Sequence, residues 1–165
     1  MKKILFAAMA LTLMCACSGE REYLTYRGLS MGLPFKAFDD SLKAQGFVVD
    51  TAHSNKEIIK YTHPKETFVL TVGQRNDTIL AIEEYYTASY NDSTRQLWQQ
   101  LRDRYAEELD RMPGCPYLGD DHKEAEFETP KGIVNILLQN RSIPSLTLHL
   151  DRMTQDELIK KKKGR

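Results

Sequence analysis

The sequence predicts an α+β fold, an antiparallel sheet with helices packed on one face. Three observations predict it. Ser145 to Asp151 alternates strictly, with Leu146, Leu148 and Leu150 on one side and Thr147, His149 and Asp151 on the other. Leu97, Trp98, Leu101, Tyr105, Leu109 and Met112 recur at helical spacing. A helix pattern followed by a run of strands occurs twice, which suggests two tandem helix-then-meander repeats over residues 29–90 and 91–151.

The first helix begins after Gly32-Leu33-Pro34, where Pro34 suits a first helical position. Phe35, Phe38 and Leu42 share one face, and Gly46 ends the helix. Four strand-like runs follow, at Phe47 to Asp50, Glu57 to Thr62, Thr67 to Val72 and Thr78 to Tyr86. The last two are joined by Gly73-Gln74-Arg75-Asn76-Asp77, a hairpin connection rich in turn formers. In the second half, Asn91 or Asp92 can cap a long helix running to Met112, stopped by Pro113-Gly114. Strands at Ala125 to Thr129 and Gly132 to Gln139 flank the turn Thr129-Pro130-Lys131-Gly132, and Ser145 to Asp151 completes the set. Residues 152–165 form a basic tail, with TQDELIKKKK reading as a solvated terminal helix.

The N-terminus has a different character. Lys2 and Lys3 precede an apolar run from Ile4 to Met14, interrupted only by Thr12, as an export signal requires. The run falls short of the ~20 apolar residues that span a bilayer. Residues 1–16 are therefore expected to address the chain and then to be removed. Met14-Cys15-Ala16-Cys17 resembles the lipobox of bacterial lipoproteins, and the small Ala16 before Cys17 favours that cysteine over Cys15, which follows the bulky Met14. The resemblance implies that Cys17 is acylated and becomes the first mature residue. Two or three acyl chains hold stably where one is marginal, since each buried methylene contributes about 0.8 kcal/mol. Residues 17–28 then read as an acylated tether, polar from Ser18 to Glu22, before a domain over 29–151.

Composition narrows the function. The 165-residue chain carries 23 basic and 23 acidic residues; without Lys2 and Lys3 it holds 21 against 23, a net of −2 that suggests no nucleic-acid partner. Lys160 to Lys163 and Arg165 hold five of those positive charges, so residues 17–159 carry 16 basic against 23 acidic, a net of −7. A basic tail on an acidic body could touch anionic head groups or the body itself. With Cys17 acylated, Cys115 is the one cysteine left, so no disulfide can form within the mature chain. Cys115 lies in the loop signature Met112-Pro113-Gly114-Cys115-Pro116, and no sequence pattern supplies a base to activate it.

The segment LSMGLPFKAFDDSLKAQGF, residues 29–47, resembles a stretch found soon after the lipidated cysteine in uncharacterised small lipoproteins of Bacteroides and relatives. That family carries no known activity. The helix-then-meander order is also similar to the β-lactamase-inhibitor-protein and barrel-assembly small-lipoprotein folds, both of which act by binding proteins; no motif carries their binding residues over. Glu20 and Glu22 behind Cys17 resemble the acidic surface-export signals of the same phylum. Four triplets resemble its O-glycosylation motif: Asp40-Ser41-Leu42, Asp50-Thr51-Ala52, Asp77-Thr78-Ile79 and Asp92-Ser93-Thr94. Thr51, Thr78 and Ser93 are the candidate acceptors, Ser41 lying mid-helix; turn and cap chemistry equally explains such triplets at element ends.

Asp120-Asp121-His122, with Glu124 nearby, is the one local cluster whose carboxylates and imidazole suit a divalent ion, although ligands so close on a loop seldom close a site and a solvated loop is the plainer reading. Glu83 and Glu84 fall on opposite faces of a strand, so they form no acid–base pair, but one of them can face a groove. His53 and His63 fall in loops and His149 on an exposed strand face, without the spacing of a catalytic triad. Tyr85, Tyr86, Tyr90 and Trp98 are either core or a recognition surface. The expectation is an outer-membrane-anchored, non-enzymatic module without cofactor, held in the bilayer through Cys17 and binding an envelope protein, peptide or glycan by its sheet face or an edge strand. The alternatives are an enzyme with a site assembled from distant residues, or a structural envelope-assembly factor. A deep pocket gathering Glu84, His63 or Cys115 with another ionisable group would favour the enzyme, and a shallow apolar sheet face would favour binding.

Overall fold

The computed structural model describes residues 21–116 and 118–163. The expected export signal over residues 1–16, with Cys15 and Cys17, lies outside the described residues. Nine strands and three helices follow in chain order: β1 (Thr25–Tyr26), β2 (Leu29–Ser30), α1 (Phe35–Ala44), β3 (Val48–Val49), β4 (Ile58–Thr62), β5 (Phe68–Arg75), β6 (Thr78–Thr87), α2 (Asn91–Glu108), β7 (His122–Thr129), β8 (Gly132–Asn140), β9 (Pro144–Asp151) and α3 (Gln155–Lys163). Seven strands form one antiparallel sheet in the order β3-β4-β5-β6-β9-β8-β7, and β1-β2 is a separate hairpin. The fold is α+β, as the sequence predicts.

The sheet order shows how the halves combine. Each half is a helix followed by a meander, four-stranded in the first half and three-stranded in the second, and the halves meet where β6 pairs with β9, the last strand of each. Register places Tyr61, Leu70, Glu84, Leu148, Ile136 and Ala125 in one row across six strands, all buried. Phe38 and Leu42 of α1 and Trp98, Leu101 and Tyr105 of α2 pack into the cluster on this face. The Tyr61 hydroxyl donates to Asp39 of α1 at 2.9 Å, and Trp98 Nε1 donates to the Ile136 carbonyl at 3.1 Å. The opposite row, Lys60, Thr71, Glu83, His149, Asn135 and Glu126, is polar. Such alternation is what a sheet with one packed and one solvated face requires.

Both long helices end alike. After α1, Gly46 takes φ +97°, its N–H bonds to the Lys43 carbonyl and that of Phe47 to Leu42. After α2, Asp110 takes φ +46°, its N–H bonds to Glu107 and that of Arg111 to Ala106. Each is a Schellman stop, which satisfies the last carbonyls through one left-handed residue. The stop at Asp110 corrects the expectation of a helix reaching Met112, which is 84% exposed and outside the apolar stripe. Tyr90, not Asn91 or Asp92, holds the N-cap position, with no side-chain cap bond. Pro34 likewise caps α1 rather than opening it.

Strand limits differ where turn chemistry sits inside a strand. The β5-β6 turn is only Asn76-Asp77, both at positive φ, while Gly73 and Gln74 lie within β5 at a bulge. Val48–Val49 is the short remnant of the run expected from Phe47 to Asp50.

The folded body also begins before Leu29. Leu24 and Tyr26, placed by the sequence reading in a tether over 17–28, are 3% and 2% exposed, and β1 pairs with β2. Gly132 explains the fit of this segment. It takes φ +148°, and a Cβ there would stand 2.3 Å from the Asp151 carbonyl oxygen and 2.9 Å from Leu24 Cδ1. At the other end, Thr154 and Glu157 form a capping box for α3: the Thr154 N–H donates to Glu157 Oε2 at 2.8 Å and the Glu157 N–H to Thr154 Oγ1 at 3.4 Å. Within the basic tail, Gln155–Lys163 is thus a capped helix. No helix of the described residues is long and apolar enough to cross a membrane.

Candidate functional site

Between the β1-β2 hairpin, α2 and the inner face of the sheet lies a cleft of about 530 Å³, lined by Tyr23, Tyr26, Arg27, Glu84, Arg104 and Lys131 among others. Its floor is Glu84, 3% exposed in the row between Leu70 and Leu148. An isolated carboxylate among leucines would be expensive, so it has to be paired. The Tyr26 hydroxyl donates to Glu84 Oε1 at 2.7 Å and the Tyr86 hydroxyl to Oε2 at 2.5 Å. Burial, and then the Glu84 charge, push both tyrosine hydroxyls far above their ordinary range. Both therefore stay neutral donors at any physiological pH.

Arg27 approaches the same carboxylate, with Nε 3.8 Å from Glu84 Oε1, while its Nη1 pairs with Glu66 at 2.8 Å. Its guanidinium lies over the rings of Tyr26, Phe47 and Phe68 at 5.3–5.8 Å. Arg27 and Gly28 form the two-residue turn of the hairpin, at φ +50° and +79°. A left-handed arginine is a strained choice, and the surrounding contacts hold it there. Arg104 of α2 lies over Tyr105 at 4.8 Å and faces Glu108 at 3.8 Å. Burial pushes the Tyr105 hydroxyl up to about 12. Lys131, in the β7-β8 turn, pairs with Glu22 at 2.7 Å. The wall of the cleft thus includes Arg104, Glu108 and Lys131, held in the partly exposed pairs Arg104–Glu108 and Lys131–Glu22, above a buried carboxylate that accepts two hydroxyls.

The sequence-predicted residues scatter. Of the four aromatic candidates, Trp98 is buried in the core and Tyr86 reaches the cleft, whereas Tyr85 lies half-exposed on the outer sheet face and Tyr90 is 75% exposed at the start of α2. They form no common surface. His63 packs against Phe47 with ring centroids 5.0 Å apart, His53 pairs with Asp50 at 2.8 Å, and His149 faces Glu83 at 3.7 Å. Cys115 is an exposed thiol in the loop that bridges to β7 through Gly114 and Glu126. Glu84 alone of the three enzyme indicators lies in the cleft.

Of the metal candidates Asp120, Asp121 and His122, Asp121 is held by other partners. Asp121 Oδ1 accepts from Arg95 at 2.6 Å and from Asn140 at 3.1 Å, and these two, Asn140 first, hold its carboxyl below the usual range. His122 has become the first residue of β7, paired with Gln139. Among the described residues no group of three or more His, Cys, Asp or Glu side chains is placed to hold a metal. Of the glycosylation candidates, Thr51 is exposed in the turn after Asp50, whose Oδ1 accepts from Ala52 N–H at 3.1 Å. Ser93 is exposed in the first turn of α2. Thr78 is half-buried and bridges to Pro34. Ser41 is committed to the Ala37 carbonyl at 2.8 Å.

The edge strands are protected. β3 is two residues long. On β7, Gly114 exchanges both backbone bonds with Glu126, at 2.8 and 2.9 Å, and Arg111 donates to the Glu128 carbonyl. Covered and charged edges of this kind discourage strand addition. The outer sheet face mixes the polar row with exposed apolar side chains at Val69, Tyr85 and Ile58. The cleft was missed because β1 and β2 are too short to leave a periodic signal, although Ile82, Glu84 and Tyr86 alternate onto one face of β6. No family model, curated protein or solved structure matches this chain.

Proposed function

We propose that this chain is an outer-membrane lipoprotein, anchored through acylated Cys17, that acts without catalysis by binding an envelope protein, peptide or glycan in the cleft above Glu84. The lipobox and export signal support the anchor. The observation that carries the binding reading is the state of Glu84: each of its oxygens already accepts a tyrosine hydroxyl, and both hydroxyls are held neutral. The arrangement supports a polar floor whose two oxygens are already engaged by neighbouring hydroxyls. Around it, Arg104–Glu108 and Lys131–Glu22 are partly exposed pairs worth little by themselves, so a partner's polar groups can replace them at small cost.

One observation favours an enzyme, namely that a buried carboxylate shares this cleft with Arg27 and Arg104. Capture of partners from the native envelope by the acylated protein, set against an Arg104→Glu, Lys131→Glu variant, tests the binding reading. A reproducible partner retained by the wild type and lost by the variant supports it. No reproducible partner, or a partner indifferent to both charges, contradicts it. Capture of outer-membrane assembly complexes independently of the cleft would favour the structural role.

A further inference from the structure

The C-terminal helix is tied to the residues that follow the anchor. Arg21 Nη1 and Nη2 reach Glu157 Oε1 and Oε2 at 2.5 and 2.9 Å, and Nη2 also donates to the Arg152 carbonyl at 2.8 Å. Arg152 lies 4.1 Å over the Tyr23 ring and Arg21 5.0 Å over the same ring. A two-pronged arginine–carboxylate contact fixes direction as well as distance. Four peptide steps separate Arg21 from Cys17, a reach of at most about 14 Å. The lysine run begins three residues beyond Glu157, about one helical turn or 5 Å along α3. Wherever Cys17 enters a bilayer, Lys160 to Lys163 are therefore held within about 35 Å of that point, the paired Arg21 and Glu157 side chains included.

Lys160, Lys161 and Lys163 are exposed, and among the described residues none of them pairs with a carboxylate. Ile159, beside them, is 42% exposed. The rest of the mature chain is net −7. An anionic surface thus repels the body and attracts one spot on it.

We propose that α3 is a second membrane contact, its lysines seated on anionic lipid head groups so that the acylated protein stands in one orientation on the bilayer. This rests on the lipoprotein reading. Each lysine near such a surface strengthens the contact about fivefold, and salt screens the attraction beyond about 8 Å at physiological ionic strength, so the acyl anchor supplies the proximity that the lysines need. The Arg21–Glu157 contact sets which side faces the lipid.

The test is backbone amide exchange of residues 155–163 in the acylated protein, reconstituted into vesicles of phosphatidylcholine alone or of phosphatidylcholine with phosphatidylglycerol. α3 exchange should slow about fivefold or more on the anionic vesicles, while α1 exchange stays equal on both. Raised salt, or a variant with Lys160→Gln, Lys161→Gln, Lys162→Gln and Lys163→Gln, should abolish the difference. Glutamine keeps the helix former, so that variant separates charge from folding. Equal α3 exchange on the two vesicles with Cys17 shown by mass to be acylated overturns the proposal alone. A chain found unacylated overturns the anchor, and the proposal with it.

Discussion

The Tyr26 hydroxyl, on a hairpin two residues wide, reaches across to the Glu84 carboxylate at 2.7 Å in the centre of a seven-stranded sheet. This bond fastens the β1-β2 hairpin to the seam between the two halves of the sheet. A Tyr26→Phe variant leaves one oxygen of a buried carboxylate without that donor, and should lose about 1–3 kcal/mol of stability. Urea unfolding followed by Trp98 fluorescence measures it; an unchanged midpoint would show that Glu84 is satisfied without Tyr26.

Gly132 offers a sharper steric test. With φ +148° and the Asp151 carbonyl 2.3 Å from where a Cβ would sit, Gly132→Ala strains the backbone and pushes β8 from β9 or from Leu24. A loss well above about 1 kcal/mol is expected. Gly119→Ala, also at positive φ but with open space around it, should cost less. Thermal midpoints of the two variants compare the collision with conformation alone.

Acid should release α3 before it unfolds the sheet. The Thr154 backbone N–H, and then the Arg21 guanidinium, hold the Glu157 carboxyl below its ordinary 4.5. A depressed carboxylate contributes stability that is fully present above the ordinary value and is lost as pH falls through the lowered one. Protection of the amides of residues 155–163, taken relative to intrinsic exchange at each pH, should therefore be flat above pH 4.5 and fall below it. Glu157→Gln should abolish that step. A step surviving in the variant would assign it to another group.

Asp121 predicts a negative result. With Arg95 and Asn140 on its Oδ1, a divalent cation would have to displace a guanidinium. Millimolar manganese or zinc should leave the melting temperature of the wild type unchanged. A rise that disappears in Asp121→Asn would restore the loop as a metal site.

The long strands and helices are legible because burial imposes a period: Leu146, Leu148 and Leu150 alternate, and Trp98, Leu101 and Tyr105 recur, for the same reason that they are buried. Their ends are less so. Asp110 stops α2 in the left-handed conformation that Gly46 takes after α1, and glycine announces this in sequence where aspartate does not. The two-residue turns Arg27-Gly28 and Asn76-Asp77 contrast in the same way, since only the second carries residues that favour positive φ on both sides of a long alternating pattern. The cleft depends on the first. Without the Arg27 turn, Tyr26 cannot be placed, and Glu84 reads only as one of two carboxylates on opposite strand faces, either of which can face a groove.

The most direct measurement on the central claim, a lipid-anchored envelope module, is the intact mass and N-terminal peptide of the protein extracted from membranes of the producing cell. The expected species begins at Cys17, lacks residues 1–16 and carries a diacylglyceryl group on that cysteine. A soluble product with a free Cys17 thiol, or one that retains Lys2 and Lys3, would contradict the account at its first step.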